Sequence, residues 1–196
     1  MFNSLIMYHS QMSHLSFLKE SIRSIRTTGA VMRSSRWLVR EMLEPIDFGK
    51  AKVVVELGAG SGAFTEELLS RMLPDAHLLS FEINPEFCKL LRGSIADPRF
   101  ILIEDSAAAL PEHLKKLGFG QADYIISGIP FVTLPTELVH QIVTASHKSL
   151  KINGLFIQFH YSSLIQKMYQ QFFGNVEVKL VALNIPPAFV MICRKK

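Results

Sequence analysis

The chain is poor in cysteine, in charged residues and in long apolar runs, and each shortage excludes a class of protein. Its two cysteines, Cys88 and Cys193, fit no metal-ligand spacing and form no disulfide framework, so a reduced, cytosolic setting is expected. No run approaches the roughly eighteen apolar residues that cross a bilayer as a helix. The first residues lack the charged and apolar regions of a secretory signal.

The composition nevertheless supports a full hydrophobic core. Hydrophobic residues make up 48% of the 196 residues and charged residues 19%, which excludes wholesale disorder and predicts a single domain with a short extension at most. The net charge of +4 is concentrated near the start, where residues 1–40 hold six basic side chains and one acidic side chain. We therefore predict a basic N-terminal arm over residues 1–48 and a nearly neutral domain over residues 49–196.

One glycine-rich stretch organises the domain: KVVVELGAGSGAFTEELL, residues 52–69. Its β-branched beginning predicts a strand buried on both faces, and its end has the apolar spacing of a helix. A strand, a glycine turn and a helix in this order are typical of a nucleotide-binding βαβ unit. Glycines at 58, 60 and 62 allow close backbone approach to a ligand and a positive φ, and the helix aims free N–H groups at the turn.

Acidic residues at two strand ends narrow the choice of ligand. Glu56 stands just before the turn, where a carboxylate suits a ligand with a positive amino group. S-adenosylmethionine has such a group and NAD does not. Glu82 ends the next apolar run, 24 positions beyond Gly58, about where a carboxylate accepts hydrogen bonds from ribose hydroxyls. The alternative interpretation of the glycines is an ordinary tight turn, and that of Glu82 is a solvated helix cap.

The remaining pattern predicts a Rossmann-like α/β fold. Strands are expected at 52–57, 77–82, 99–104, 123–127, 155–161, 175–183 and 188–194, with helices at 61–73, 84–94, 107–117, 135–150 and 163–173. This order predicts a mostly parallel seven-stranded sheet, helices on both faces and an antiparallel C-terminal hairpin. Ligands bind beyond the carboxyl ends of such strands, where the marked residues converge.

The N-terminal arm contains an amphipathic pattern over residues 14–26. Its apolar stripe is Leu15, Leu18, Ile22 and Ile25, and the basic residues Lys19, Arg23 and Arg26 follow an adjacent stripe. An interfacial helix has this arrangement, and each cation adds about 1 kcal/mol of binding near an anionic membrane. The alternative is a helix packed on the core with a solvated basic edge.

Several segments resemble class I S-adenosylmethionine-dependent methyltransferases. VVELGAGSG is similar to the first motif of that class, the acidic end of LLSFEIN to the second, and IEDSAA to the adenine-contacting third. The resemblance implies S-adenosylmethionine as cofactor and S-adenosylhomocysteine as product. The cofactor contacts it implies are Glu56, Gly58, Gly60, Gly62, Glu82, Ile83, Asp105, Ser106 and Ser127.

A closer resemblance is to the bacterial phospholipid N-methyltransferases. It rests on GAVMRSSRWLVREM, FEINPEFCKLLR, DYIISGIPF and PPAFVMICRK. That family methylates the amine of phosphatidylethanolamine, towards phosphatidylcholine, and is related to the rRNA adenine dimethyltransferases. One departure is Arg33, where that family would be expected to have proline.

The resemblance implies a site that positions an amine and needs no metal. Carbonyls around Ile129 and the Tyr161 hydroxyl are candidates to orient the amine, and Phe131 and Tyr161 to hold a methylated ammonium by cation–π contact. Core packing is the alternative for Phe131, and a structural strand end for Tyr161. Arg33 or Arg36 is expected to pair with the lipid phosphate, unless these are solvated surface arginines.

Two other functions compete with lipid methylation. An rRNA adenine N6-methyltransferase would also use a basic arm, but those enzymes carry Asn-Leu/Ile-Pro-Tyr/Phe at the fourth motif. This chain has Ser127-Gly128-Ile129-Pro130-Phe131, without Asn at position 127 and without a substantial RNA-binding domain after the hairpin. A cofactor-binding scaffold without catalysis is the third. The favoured interpretation is a peripheral enzyme at the cytoplasmic face of an anionic membrane, with no obligate protein partner.

Overall fold

The computed structural model describes residues 35–196, in which helices cover both faces of one seven-stranded sheet. The helices are α1 (Arg36–Leu43), α2 (Ala63–Arg71), α3 (Pro85–Ser94), α4 (Leu110–Lys116), α5 (Thr136–Ser149) and α6 (Gln166–Phe173). The strands are β1 (Val53–Leu57), β2 (His77–Phe81), β3 (Phe100–Ile103), β4 (Ala122–Ser127), β5 (Leu150–His160), β6 (Val176–Val181) and β7 (Ala188–Arg194). Short 3-10 turns occupy Ala107–Ala109 and Phe131–Thr133.

The sheet has the strand order β3-β2-β1-β4-β5-β7-β6. The first five strands in this order are parallel, and β7 runs antiparallel to both β5 and β6. The predicted fold class, with its parallel sheet and C-terminal hairpin, is therefore confirmed. The position of β7 inside the sheet, between β5 and β6, depends on pairing between distant residues and was not part of the prediction.

Strand alternation divides the core into two clusters, one on each side of the sheet. In β1, Val53, Val55 and Leu57 face the larger cluster, which includes apolar residues of α4, α5 and α6. Val54 faces the other cluster, which includes apolar residues of α1 and α2. All five residues of β1 are buried, as expected for a central strand covered on both faces.

Local chemistry sets where the helices near the carboxyl edge begin. The Ser35 hydroxyl accepts from the amide of Leu38 and caps α1, and Asn84 accepts from the amide of Glu86 and caps α3. Gly62 precedes α2 with φ of 93°, a conformation that favours glycine. The helix starts that flank the cofactor turn are thus encoded locally.

Most predicted elements differ from the structure by one to three residues at an end, and two differ in more than that. The helix expected at 107–117 is split into a 3-10 turn and α4. Strand β5 begins at Leu150 rather than 155, and the expected Asn153-Gly154 turn is an irregularity within it, with φ of 66° at Asn153. A Cβ at Gly154 would lie 2.9 Å from the carbonyl oxygen of Asp123, so only glycine allows this close pairing.

Part of the predicted arm precedes the described residues. The expected helix over 14–26, the basic residues Lys19, Arg23 and Arg26, and Arg33 lie outside residues 35–196. From Ser35 onward the arm packs on the sheet, because Leu38, Val39, Met42 and Leu43 are buried in the second cluster. The boundary at residue 48 stays a prediction. Within residues 35–196, no helix has the length and apolar character needed to cross a membrane.

Candidate active site

The loops that follow β1, β2 and β4 are bonded to one another at the carboxyl edge of the sheet. The amide of Gly58 donates to the carbonyl of Phe81 at 2.8 Å, and the amide of Gly128 donates to the carbonyl of Leu57 at 2.8 Å. The first predicted motif is therefore held between the second and the fourth. This contact brings the predicted cofactor residues and the predicted amine-orienting residues to one place.

The glycine turn needs its glycines for two separate reasons. Gly58 has φ of 77°, and a Cβ there would lie 2.9 Å from Cγ1 of Ile129. Gly60 has φ of 55°, but a Cβ there would meet no heavy atom within 4 Å. The first glycine therefore permits close packing of two loops. The second permits a left-handed backbone beside open space, and so supplies the cradle expected for a ligand.

Glu56 is a buried carboxylate with one unpaired oxygen. Its Oε2 accepts from the hydroxyls of Thr65 and Ser80 at 2.7 and 2.6 Å. Its Oε1 has no hydrogen-bond partner among the described residues. Burial raises the pKa of Glu56 to about 7, despite the two hydroxyl donors. A cationic amino group would supply the missing donor and favour the ionised carboxylate.

Glu82 joins the glycine turn to the start of α3. Its Oε2 accepts from the amide of Gly60 and its Oε1 from the amide of Asn84, both at 2.8 Å. The side chain is buried, and the adjacent Ile83 packs against the larger core cluster. Each carboxylate oxygen has further acceptor capacity, so binding to ribose hydroxyls stays a prediction that is compatible with these bonds.

The third predicted motif is built around a contact between Asp105 and His113. Asp105 Oδ2 lies 2.8 Å from Nε2 of His113 in α4, and Asp105 Oδ1 accepts from the amide of Ser106. The Ser106 hydroxyl accepts from the amide of Ala108 and caps the 3-10 turn. These bonds set the conformation of the loop after β3. The predicted adenine contacts of Asp105 and Ser106 stay predictions.

Behind the fourth motif lies a buried polar chain that sequence reasoning did not identify. The Gln158 amide nitrogen donates to the carbonyl of Ile129 at 2.7 Å, and its Oε1 accepts from the Tyr169 hydroxyl at 3.1 Å. The Tyr169 oxygen lies 2.9 Å from Nε2 of His160. Because the hydroxyl donates to Gln158, the imidazole carries its proton on Nε2 and donates to Tyr169. Burial lowers the pKa of His160 to about 4, so the ring is neutral at pH 7.

The sequence of β5 contains an indication of this hydrogen-bonded network. Phe156, Gln158 and His160 alternate onto the same face of a central strand, and both polar residues are buried. A buried polar residue needs a hydrogen-bond partner, so two on one apolar face indicate a network. Its third member, Tyr169 in α6, has no comparable signal, because only the tertiary packing brings α6 against β5.

The predicted cofactor contact Ser127 and the predicted amine-binding residues Phe131 and Tyr161 differ in exposure. Ser127 is buried, and its hydroxyl lies 3.4 Å from the amide nitrogen of Ile129. Phe131 is 2% exposed, and its ring centroid lies 6.2 Å from that of His160. Tyr161 is 49% exposed just beyond the end of β5, with its ring edge-to-face against Phe159. Phe131 thus belongs to the core and Tyr161 to the surface, and their expected roles stay predictions.

Arg36 is the one predicted phosphate-binding residue that lies within residues 35–196. It is exposed in the first turn of α1, with its guanidinium 5.1 Å from the centroid of the Trp37 ring. The neighbouring Ser35 hydroxyl donates to Asn184 Oδ1 in the β6–β7 loop at 2.7 Å. The start of α1 therefore lies against that loop, and Arg36 follows Ser35 directly.

The donor set of this edge fits S-adenosylmethionine. Glu56 can hold an amino group, and the cofactor can approach the backbone of Gly60, where no side chain intervenes. In residues 35–196, no group of three or more His, Cys, Asp or Glu side chains is arranged to hold a metal ion. The side chains that converge here therefore suit an organic cofactor with a cationic amino-acid end.

Comparisons with known proteins agree with this chemistry. Residues 33–172 match the family model described as ribosomal RNA adenine dimethylase. The chain is 32% identical over 180 residues to an ornithine lipid N-methyltransferase of Singulisphaera acidiphila, covering 91% of this chain and 94% of that protein.

Solved structures share the fold at low identity. The 1,6-didemethyltoxoflavin-N1-methyltransferase of Burkholderia thailandensis, solved with S-adenosylhomocysteine, has a TM-score of 0.70 at 14% identity, covering 94% of this chain and 90% of that chain. The precorrin-6y C5,15-methyltransferase of Geobacter metallireducens has a TM-score of 0.64 at 19% identity, covering 81% and 88%.

The match to a family model over most of the chain and the near full-length relative identify the class of protein. The cofactor of the class is S-adenosylmethionine, as the glycine turn and its two carboxylates predict. The scaffold without catalysis is thereby disfavoured. The chain belongs to the ribosomal RNA adenine dimethylase family and is an S-adenosylmethionine-dependent methyltransferase.

Proposed function

We propose that this enzyme methylates the primary amine of a membrane lipid headgroup, with phosphatidylethanolamine as the substrate and phosphatidylcholine as the end of the series. The observation that carries the lipid N-methylation in this proposal is the near full-length similarity to an ornithine lipid N-methyltransferase, whereas the phosphatidylethanolamine headgroup comes from the motif resemblance. Ornithine and ethanolamine both offer an aliphatic amine. The shared chemistry is therefore N-methylation of an aliphatic amine at a membrane surface, and an experiment must distinguish the two lipids.

The fourth motif supports an aliphatic amine over an adenine. Aligned on Ile129-Pro130-Phe131, the Asn of the RNA enzymes falls on Gly128 and not on position 127, so the position given for it in the sequence analysis was wrong by one residue. A Cβ at Gly128 would lie 3.1 Å from the carbonyl oxygen of Gly58, so a side-chain amide is both missing and hard to accommodate. Without that acceptor, the loop offers backbone carbonyls to an amine. This supports a small flexible amine, which needs fewer fixed partners than a purine.

The loop around Ile129 is the place we assign to such an amine. The Ile129 carbonyl accepts from Gln158 Nε2 at 2.7 Å and from the amide of Phe131 at 2.9 Å, so both of its lone pairs are used and these two bonds fix the conformation of the loop. S-adenosylmethionine supplies an electrophilic methyl group, and the protein must hold the amine nitrogen in line with it. A lipid amine with a lysine-like pKa is only about 0.1% neutral at pH 7. Desolvation beside a cationic sulfonium lowers that pKa and raises the reactive fraction.

The substrate amine releases its proton to solvent, because the neighbouring His160 does not accept it. His160 is a weak base at neutral pH because burial lowers its pKa to about 4, and its Nε2 proton is already directed to Tyr169. Tyr161 is the exposed aromatic side chain at the rim, and we assign it the contact with the methylated ammonium product. We assign Arg36, and Arg33 outside the described residues, to the lipid phosphate.

A second candidate function follows from the family model, whose description names ribosomal RNA adenine. Under this alternative, the basic N-terminal residues would grip RNA and the Ile129 loop would receive a flipped base. The Gly128 backbone contact argues against it. A direct competition between substrates separates the two functions.

The experiment is methyl transfer from labelled S-adenosylmethionine to vesicles and to RNA in one reaction, fractionated afterwards. We expect label in vesicles of phosphatidylethanolamine. Label confined to ornithine lipid vesicles would keep lipid N-methylation and replace the headgroup. Label in RNA would replace the lipid proposal with the adenine one. No label in any fraction, with cofactor still bound, would overturn both substrates.

A further inference from the structure

Five large apolar side chains project into solvent along one half of the carboxyl edge. They lie in the loops after β4, β5 and β6, and we call them the apolar rim: Val132 (74% exposed), Tyr161 (49%), Leu164 (88%), Leu183 (64%) and Ile185 (80%). The strand order β4-β5-β7-β6 makes these loops neighbours. The rim therefore lies along the half of the carboxyl edge that also holds Ile129 and Phe131, where the substrate is expected.

The opposite edge of the sheet has a different surface. Asp123 accepts from the amides of Lys52 and Val53 at 2.9 Å and pairs with Lys151, and Lys52 pairs with Asp75. Among the described residues, Leu117 and Ile152 are the large apolar side chains exposed near that edge. The apolar rim is therefore a local property, and an exposed apolar group of this kind indicates an interaction surface.

The described part of the chain begins at this rim. Ser35 donates to Asn184, which in turn donates to the carbonyl of Pro186 at 2.6 Å, so the described chain begins beside Leu183 and Ile185. The 34 residues before it contain Lys19, Arg23, Arg26 and Arg33 against the single acid Glu20, and Arg36 follows. The exposed Arg36 therefore lies at the end of the body that carries the exposed apolar side chains, and the sequence before it is basic. A bilayer with anionic headgroups over an acyl interior complements both features.

We propose that the apolar rim inserts into the headgroup–acyl boundary of an anionic membrane, so that the carboxyl edge of the sheet faces the bilayer. This inference rests on the proposed function. A lipid amine lies only a headgroup length from the acyl chains, so the Ile129 loop must come that close to the bilayer. With the rim embedded, a lipid substrate reaches the loop without leaving the membrane.

The experiment measures binding of the full chain to vesicles of phosphatidylcholine and phosphatidylglycerol, which contain no primary amine. We expect Leu164→Glu combined with Ile185→Glu to weaken vesicle partitioning about tenfold or more, with unchanged affinity for S-adenosylmethionine. Ile152→Glu is the matched control, because Ile152 is 63% exposed at the opposite edge. It should change partitioning by less than about twofold.

A second measurement locates the contact directly. The chain has one tryptophan, so a Trp37→Phe background allows a single probe to be introduced. We expect brominated acyl chains to quench Leu164→Trp strongly and Ile152→Trp hardly at all. The proposal would be overturned by equal quenching of the two probes, or by unchanged vesicle partitioning of the double variant. It would also be overturned if the parent chain did not bind the vesicles. A double variant that only abolishes self-association would overturn it as well.

Because these vesicles offer no substrate, their binding does not depend on methyl transfer. If the parent chain bound vesicles through the rim but did not methylate lipid, the proposed function alone would be refuted. Lipid methylation that survives in the double variant at the parent rate on vesicles would refute the rim alone.

Discussion

The two halves of the carboxyl edge differ in what their loops do with polar and apolar groups. The end of β1 and the loops after β2 and β3 carry the acidic side chains Glu56, Glu82 and Asp105, each hydrogen-bonded to neighbouring groups. After β4, β5 and β6 they expose apolar side chains instead. A water-soluble cofactor with a cationic amino group suits the first half, and an amphipathic substrate suits the second. The edge of one sheet thus has two solvation environments that meet at the contact of Gly58 with Ile129.

The largest effect is expected from a side chain added at Gly58, where the two loops pack together. Gly58→Val should abolish binding of S-adenosylmethionine, because a Cβ would lie 2.9 Å from Ile129 Cγ1 at a backbone φ of 77°. We expect a loss of more than about hundredfold in affinity by calorimetry, with folding checked by circular dichroism. Gly120→Val is the control, since Gly120 is exposed and a Cβ there has nothing within 4 Å. Unchanged affinity in Gly58→Val would refute the cofactor assignment.

The second effect removes the cations that accompany the apolar half. Lys19→Glu, Arg23→Glu and Arg26→Glu together should weaken binding to anionic vesicles by about hundredfold, because each cation contributes about 1 kcal/mol near such a surface. Cofactor affinity should be unchanged. Vesicle binding that persists at low salt would mean that these residues are not the membrane contact.

The third prediction concerns Glu56 in the acidic half of the edge, whose protonation makes the stability of the fold depend on pH. Without cofactor, the folded pKa of Glu56 is about 7 against an ordinary value of 4.5, so the unfolded chain releases this proton first. Stability is therefore lost as the pH rises from about 4.5 to about 7 and stays lost above that range.

Glu56→Gln removes this titration. We expect the free energy of unfolding of the variant, relative to the parent, to increase by roughly 2 kcal/mol between pH 5 and pH 8 in chemical denaturation. The variant should also bind S-adenosylmethionine more weakly, because it lacks the charge that pairs with the amino group. A difference in stability that does not vary with pH would contradict the buried, proton-binding state of Glu56.

The smallest effect concerns the boundary between the halves. Gln158→Leu removes the donor to the Ile129 carbonyl, and we expect kcat to fall about tenfold with KM for S-adenosylmethionine little changed. Stability should fall by about 1–3 kcal/mol, since the buried Tyr169 hydroxyl loses its acceptor. Tyr169→Phe is the control, because it keeps the bond between Gln158 and Ile129. Equal losses of kcat in both variants would assign Gln158 a purely structural role.

Much of the cofactor half was predictable from the sequence, because its signals are local. Glycine spacing, β-branched runs and the acids at strand ends Glu56 and Glu82 follow from backbone conformation and side-chain alternation. The bonds that these carboxylates make were not predictable. The hydroxyls that hold Glu56 come from α2 and β2, nine and 24 positions along the chain.

The substrate half was predicted less completely for the same reason. Ile129 and Tyr161 follow strands and were identified as candidates to orient the amine, and Phe131 was assigned to the site although its ring is buried in the core. Gln158 and Tyr169 were not identified, because their roles depend on the approach of a helix to a strand. The exposure of side chains in loops likewise cannot be predicted from the sequence, so Leu164 and Ile185 were not identified.

The sequence by itself determined the fold class, the cofactor turn and the edge of the sheet at which chemistry occurs. These follow from periodicity and from residue types at strand ends, which act over a few neighbouring positions. Only the tertiary structure decided that β7 lies inside the sheet, that Gln158 restrains Ile129, and that the apolar side chains after β4, β5 and β6 lie along one half of the carboxyl edge. Those features are contacts between distant segments, and the packing of the whole chain selects them.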